Sequence, residues 1–161
     1  MNHQQELVYR FKSQADFAST YSPLYAKLFA FVAKWLEEES QVGRWLIATS
    51  KSRNPFDVTL LLMAGLHEAV LAKHEGAAEL AQFYPTAGGN RPADDPELKY
   101  ILENAILSLK PHLAHVIETA TVQTNETGRG SSWLLPLAFT RWEQVELLDL
   151  GASAGLNLVA E

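Results

Sequence analysis

Between Glu146 and Leu158 the chain reads Glu-Leu-Leu-Asp-Leu-Gly-Ala-Ser-Ala-Gly-Leu-Asn-Leu. Leu147, Leu148 and Leu150 make a short buried-strand pattern, Gly151 and Gly155 a tight turn, and Leu156, Leu158, Val159 and Ala160 the opening of a helix. A strand, a glycine turn and a helix start form a cradle for anions, because the first backbone N–H groups of a helix point outward without partners. Four readings compete for the stretch: a nucleotide-cofactor loop, the Gly-x-Ser-x-Gly elbow of a hydrolase, a structural turn, or the beginning of a domain whose remainder lies elsewhere.

A second chemically dense stretch precedes it, at Thr121 to Ser132. Gln123, Asn125, Glu126 and Arg129 fall between glycines and without a hydrophobic period, so they cannot be a core face. Two readings stay open: they face a site, or they are cap residues and a local ion pair beside a glycine turn.

The elements that must position these residues are helical. Leu7, Val8, Phe11 and Ala15 recur at helical spacing across residues 4–18. Ser22-Pro23 is an N-cap and first-position pair, and the apolar face Leu24, Leu28, Phe31, Val32, Trp35, Leu36 follows until the acidic Glu37-Glu38-Glu39, read as surface. Asn54-Pro55 repeats the signature ahead of Val58, Leu61, Leu62, Leu66, Ala69 and Val70, apolar on nearly every side and hence the most buried helix. Residues 83–96 form a long break rich in Gly and Pro, read either as a binding loop or as a flexible connection. Helices then follow from Asp95-Pro96-Glu97 and from Lys110-Pro111 through Leu113, Val116, Ile117 and Ala120.

The histidines invite a metal reading. His67 and His74 are two turns apart, yet the His-Glu-x-x-His pattern fails at Leu71, so a core or interface role is expected. His112, His115 and Glu118 share a helix face and are read as a solvated surface. No metal is therefore expected.

The 161 residues carry 47% hydrophobic and 20% charged residues and a net charge of −6. This is the composition of a folded domain, and the scattered Lys and Arg leave no footprint for nucleic acid. Without cysteine there are no disulfides, thiolate metal sites or Cys nucleophiles. The first residues, Met1-Asn2-His3-Gln4-Gln5-Glu6, lack a signal-peptide core, and the apolar run Val58 to Leu66 is too short for ~30 Å of hydrocarbon. The expectation is a cytoplasmic protein without membrane or nucleic-acid partners.

Three blocks, Phe83-Tyr84-Pro85-Thr86-Ala87-Gly88-Gly89, Val122-Gln123-Thr124-Asn125-Glu126-Thr127-Gly128-Arg129 and Leu148 to Leu158, together resemble a bacterial family of unknown function, family 2332. The C-terminal part of that family resembles Rossmann-like S-adenosylmethionine-dependent methyltransferases, and its members run longer than this chain. The resemblance implies that Asp149 is the acid ending the first strand, that Gly151 and Gly155 are the outer glycines of the cofactor loop, and that Ser153 replaces its middle glycine. Asn157 lies on the same motif. S-adenosylmethionine is thus the cofactor implied for the full-length protein, with none expected bound to this stretch alone. The acid that would hold the ribose hydroxyls lies roughly 20 residues past such a loop, and only residues 156–161 follow Gly155.

A parallel sheet cannot be built from one strand, so the chain is expected to end just after the first cofactor motif and to be inactive alone. The fold class expected is mainly α: a bundle of about six to seven helices, with at most one short strand near 145–150 leading into an incomplete Rossmann-like βα unit. Residues 1–120 would be the helical domain, and 121–161 the connecting loop, a helix and the strand-turn-helix start. One alternative is a non-catalytic helical module, with apolar surface for a homodimer. The other is a hydrolase using Ser153, which lacks the His that should follow the serine, since no histidine lies beyond 115.

Overall fold

The computed structural model describes residues 1–122, 138–142, 144 and 146. The chain divides into two compact units, Met1–Val122 and Gln123–Glu161. Among the described residues the secondary structure is helical and contains no strand. The segment 145–150, where a strand is expected, lies almost wholly outside them, and Glu146 has no regular structure.

The first unit contains six α-helices: α1 (His3–Ala18), α2 (Pro23–Glu37), α3 (Gln41–Thr49), α4 (Pro55–Leu71), α5 (Leu98–Ser108) and α6 (Lys110–Thr119). Each of the first four starts where a side chain satisfies an orphan N–H. Asn2 accepts from Gln5 N in a capping box, Ser22 from Tyr25 N, Ser40 from Gly43 N and Asn54 from Phe56 N. Pro23 and Pro55 occupy first-turn positions, where no intrahelical N–H is needed.

Helices α1 and α2 form an antiparallel hairpin around Leu7, Phe11, Leu28 and Phe29, and Gln4 Nε2 donates to Leu36 O at 2.8 Å across its open end. The three glutamates at the end of α2 are exposed; Glu37 and Glu38 meet Lys12 at 2.6 Å and Lys34 at 3.5 Å, which offsets their unfavourable place at a helix C-terminus. The chain does not run on as helix into Trp45. Glu39 turns it at φ 49°, and Ser40 N–H returns to Trp35 O at 3.1 Å, closing α2 before α3 begins.

Helix α4 is the axis of the unit, packing on α1 and α6 and burying nine residues, Val58 to Val70. Full burial of a leucine such as Leu62 or Leu66 stabilises by ~1.5–3 kcal/mol, so this helix dominates the core. His74 does not continue the helix face that carries His67. α4 ends at Leu71, Lys73 adopts φ 57°, and the N–H groups of Lys73 and His74 return to Val70 O and Ala69 O, so His74 leaves the helix direction.

The break after α4 is ordered into short 3₁₀ turns at Glu75–Ala77, Leu80–Phe83 and Pro85–Ala87. No described helix is long and apolar enough to cross a membrane.

Candidate functional site

The residues Gln123, Asn125, Glu126, Arg129, Asp149, Gly151, Ser153, Gly155 and Asn157 all lie outside the described residues. What the structure does bring together is a set that periodicity did not single out: Tyr25 from the first turn of α2, His67 from α4, and Tyr84 and Thr86 from the 3₁₀ segment. The Phe83 to Gly89 block, one of the three carrying the family resemblance, supplies two of the four.

The Tyr25 hydroxyl lies 3.0 Å from His67 Nδ1, and His67 Nε2 lies 2.7 Å from Thr86 Oγ1. A neutral imidazole carries one N–H, so one of these bonds is donated by the ring and the other accepted. The line therefore holds the ring between two hydroxyls, one at each nitrogen. Tyr84 walls it from inside, its ring 4.9 Å from that of His67 and edge-on to Tyr25 at 6.0 Å. Burial pushes both phenols above the usual tyrosine range, so they remain protonated and serve as dipoles rather than bases.

The Tyr84 hydroxyl is buried beside that of Tyr25 and makes no aligned hydrogen bond among the described residues. An unsatisfied buried hydroxyl costs ~1–3 kcal/mol. Tyr84→Phe is accordingly expected to hold the unfolding free energy or raise it by about 1 kcal/mol, whereas Tyr25→Phe, which removes a partner of His67, lowers it by about 1 kcal/mol. Urea unfolding of both variants checks the contrast; equal losses would show that the Tyr84 hydroxyl is satisfied.

Thr86 and Ala87 form one wall of a cleft of about 490 Å³, faced by Val70, Leu71, Ala77 and Ala81, with Lys73 and His74 at its polar end. The lining is largely apolar, with Lys73 as the one formally charged residue among its described members, a combination suited to a small, mostly apolar molecule. The loop forming this wall is tied down by Arg91. Its Nε and Nη2 donate to Asp95 Oδ2 at 3.1 and 2.7 Å, Nη2 also donates to Glu97 Oε2 at 2.6 Å, and the guanidinium lies 4.6 Å above the Phe83 ring. Those Arg91 bonds, and then the Glu97 N–H, hold the Asp95 carboxyl below the usual range. The expected alternatives for residues 83–96, binding loop or flexible connection, thus resolve into a loop with internal ties that borders a cleft.

The histidines otherwise largely follow their expected readings: His67 sits in an interface between elements and His115 and Glu118 are on the surface, while His74 is exposed and His112 departs from the surface reading. His67 and His74 do not share a face, and on α6 it is His112 alone that turns inward, to Glu68 on α4, while His115 and Glu118 lie on the exposed surface. The contacts of Tyr25 and of His112 span 42 and 44 residues, separations at which a periodic pattern carries no signal.

A family model described as an uncharacterized protein conserved in bacteria (DUF2332) matches residues 8–161. No curated protein and no solved structure matches the chain.

Proposed function

The chain belongs to this bacterial family, and from that premise we propose that it is part of an S-adenosylmethionine-dependent methyltransferase-like protein, with Asp149, Gly151, Ser153, Gly155 and Asn157 as its cofactor-facing positions. One observation carries the reading: the block Leu148 to Leu158 combines an acid at the end of an apolar run with two glycines four apart and a following helical pattern. Glycines there let backbone N–H groups approach a ligand that side chains would exclude. The cleft of the helical unit adds space for a small ligand, bordered by Lys73 and by the Thr86 that contacts His67.

Calorimetric titration of S-adenosylmethionine into the complete gene product tests the reading. Saturable binding is expected, and Gly151→Val or Gly155→Val should abolish it by filling the turn. An absence of heat at millimolar cofactor contradicts the proposal.

A further inference from the structure

Glu68, His74 and His112 converge although no local spacing links them. Gly65 makes the convergence possible. A Cβ there would lie 3.0 Å from Leu113 Cδ2 and 3.4 Å from Val116 Cγ1, so the missing side chain is the space into which α6 packs against α4. Three residues further along α4, Glu68 faces the first turn of α6 and His112. The left-handed turn at Lys73 then brings His74 back, its ring centroid 5.1 Å from that of His112. One ligand atom from each of the three residues lies within 4.8 Å of the others.

The His112–Glu68 contact is not an ordinary ion pair. Nε2 of His112 stands 2.9 Å from Glu68 Oε2, yet this nitrogen is buried and makes no aligned hydrogen bond among the described residues. The two atoms thus lack a hydrogen bond to hold them at this distance, and opening the contact from 2.9 Å by about half an ångström would let both bind one cation.

We propose that Glu68, His74 and His112 form a binding site for a divalent transition-metal ion of the zinc type. Two imidazoles and a carboxylate match the preferences of zinc, and three protein ligands leave a coordination position for water. Bonds of about 2.0–2.1 Å place tetrahedral ligands about 3.4 Å apart. The wider separation within the set closes by rotation of Glu68 and His74, both exposed, about the better-buried His112. The site uses none of the proposed cofactor-facing positions between Asp149 and Asn157 and stands independently of them. His74 also borders the 490 Å³ cleft, which puts the ion beside space for a small ligand.

The test is titration of Zn²⁺ into the untagged full chain against a chromophoric chelator, with Co²⁺ absorption reporting coordination geometry. One equivalent of Zn²⁺ is expected to bind, with affinity falling at least about tenfold in each of His74→Ala, His112→Ala and Glu68→Gln. His115→Ala, on the same helix but exposed, should bind as wild type does. Circular dichroism separates loss of a ligand from loss of fold. Should His112→Ala unfold, the exposed positions His74 and Glu68 decide the matter. Zn²⁺ binding that is absent, or that survives His74→Ala and Glu68→Gln undiminished, overturns the proposal.

Discussion

Gly43→Ala is expected to destabilise the helical unit by about 3 kcal/mol, against a usual gain of up to ~1 kcal/mol when alanine replaces glycine in a helix interior. Gly43 lies in the first turn of α3, directly over the last turn of α2. A Cβ at this position would stand 2.2 Å from Trp35 O and 2.8 Å from Trp35 C. Both atoms are backbone, and the same carbonyl accepts the Ser40 N–H that closes α2. Neither side can yield by rotating a side chain, so the turn between the helices must open, and the burial of Trp35, Val42 and Leu46 suffers with it. Gly65→Ala is the matched control. Its new methyl stands 3.0 Å from Leu113 Cδ2 and 3.4 Å from Val116 Cγ1, side-chain atoms that can shift by a few tenths of an ångström, so its cost should stay at about 1 kcal/mol, well below that of Gly43→Ala. Thermal unfolding of the pair checks this: Gly43→Ala should lower Tm by about 8 °C, at roughly 2–4 °C per kcal/mol for a chain of this size. Equal midpoints would mean that α3 does not rest on α2 as closely as described.

The second large effect belongs to the loop that walls the cleft. A Cβ on Gly89 would lie 2.4 Å from both Ala81 O and Gln82 O, because the chain after the last 3₁₀ turn folds back onto the preceding one. Gly89 N–H bonds to Tyr84 O at 2.9 Å and Arg91 N–H to Gln82 O at 3.0 Å, so displacing Gly89 breaks the ties that hold Thr86 and Ala87 at the cleft. Gly89→Ala should therefore cost about 2–3 kcal/mol and weaken the Thr86–His67 contact. Gly88→Ala separates this steric effect from backbone strain. Gly88 has φ 82° with nothing within 4 Å of the added methyl, so its penalty is only the left-handed conformation, about 1 kcal/mol. Urea unfolding of both variants, with histidine NMR shifts reporting on His67, gives the comparison; a larger loss at Gly88 would contradict the described path of the loop.

These two glycines also mark where the sequence can be read and where it cannot. The starts of α2 and α4 are legible in Ser22-Pro23 and Asn54-Pro55, because a cap and a proline act within one turn on their own backbone. The burial of α4 is legible too, since its apolar residues cover every side. Gly43 and Gly89 carry no such signal: each is required by a carbonyl on another turn, five or more residues back. The end of α4 was obscured for a related reason. His67 and His74 keep helical spacing in the sequence, but Lys73 takes the left-handed conformation usually left to glycine, and the two histidines part. His67 then finds Tyr25 and Thr86, and His74 finds His112, through packing between elements distant in sequence. The glycine block at Leu148 to Leu158 is the opposite case. Its pattern is local, an acid, two glycines and an apolar frame, and the four readings it allows differ only in surroundings that lie outside the described residues.

That block carries the proposed function, and labelling is its most direct test. Ultraviolet crosslinking of tritiated S-adenosylmethionine to the complete gene product, followed by tryptic mapping, should place the label on the peptide that follows Arg141, which contains Asp149, Gly151, Ser153, Gly155 and Asn157. Excess unlabelled cofactor should suppress it, and Gly155→Val should remove it. Label absent from that peptide, or confined to residues 1–122, would contradict the assignment of the glycine turn as a cofactor loop.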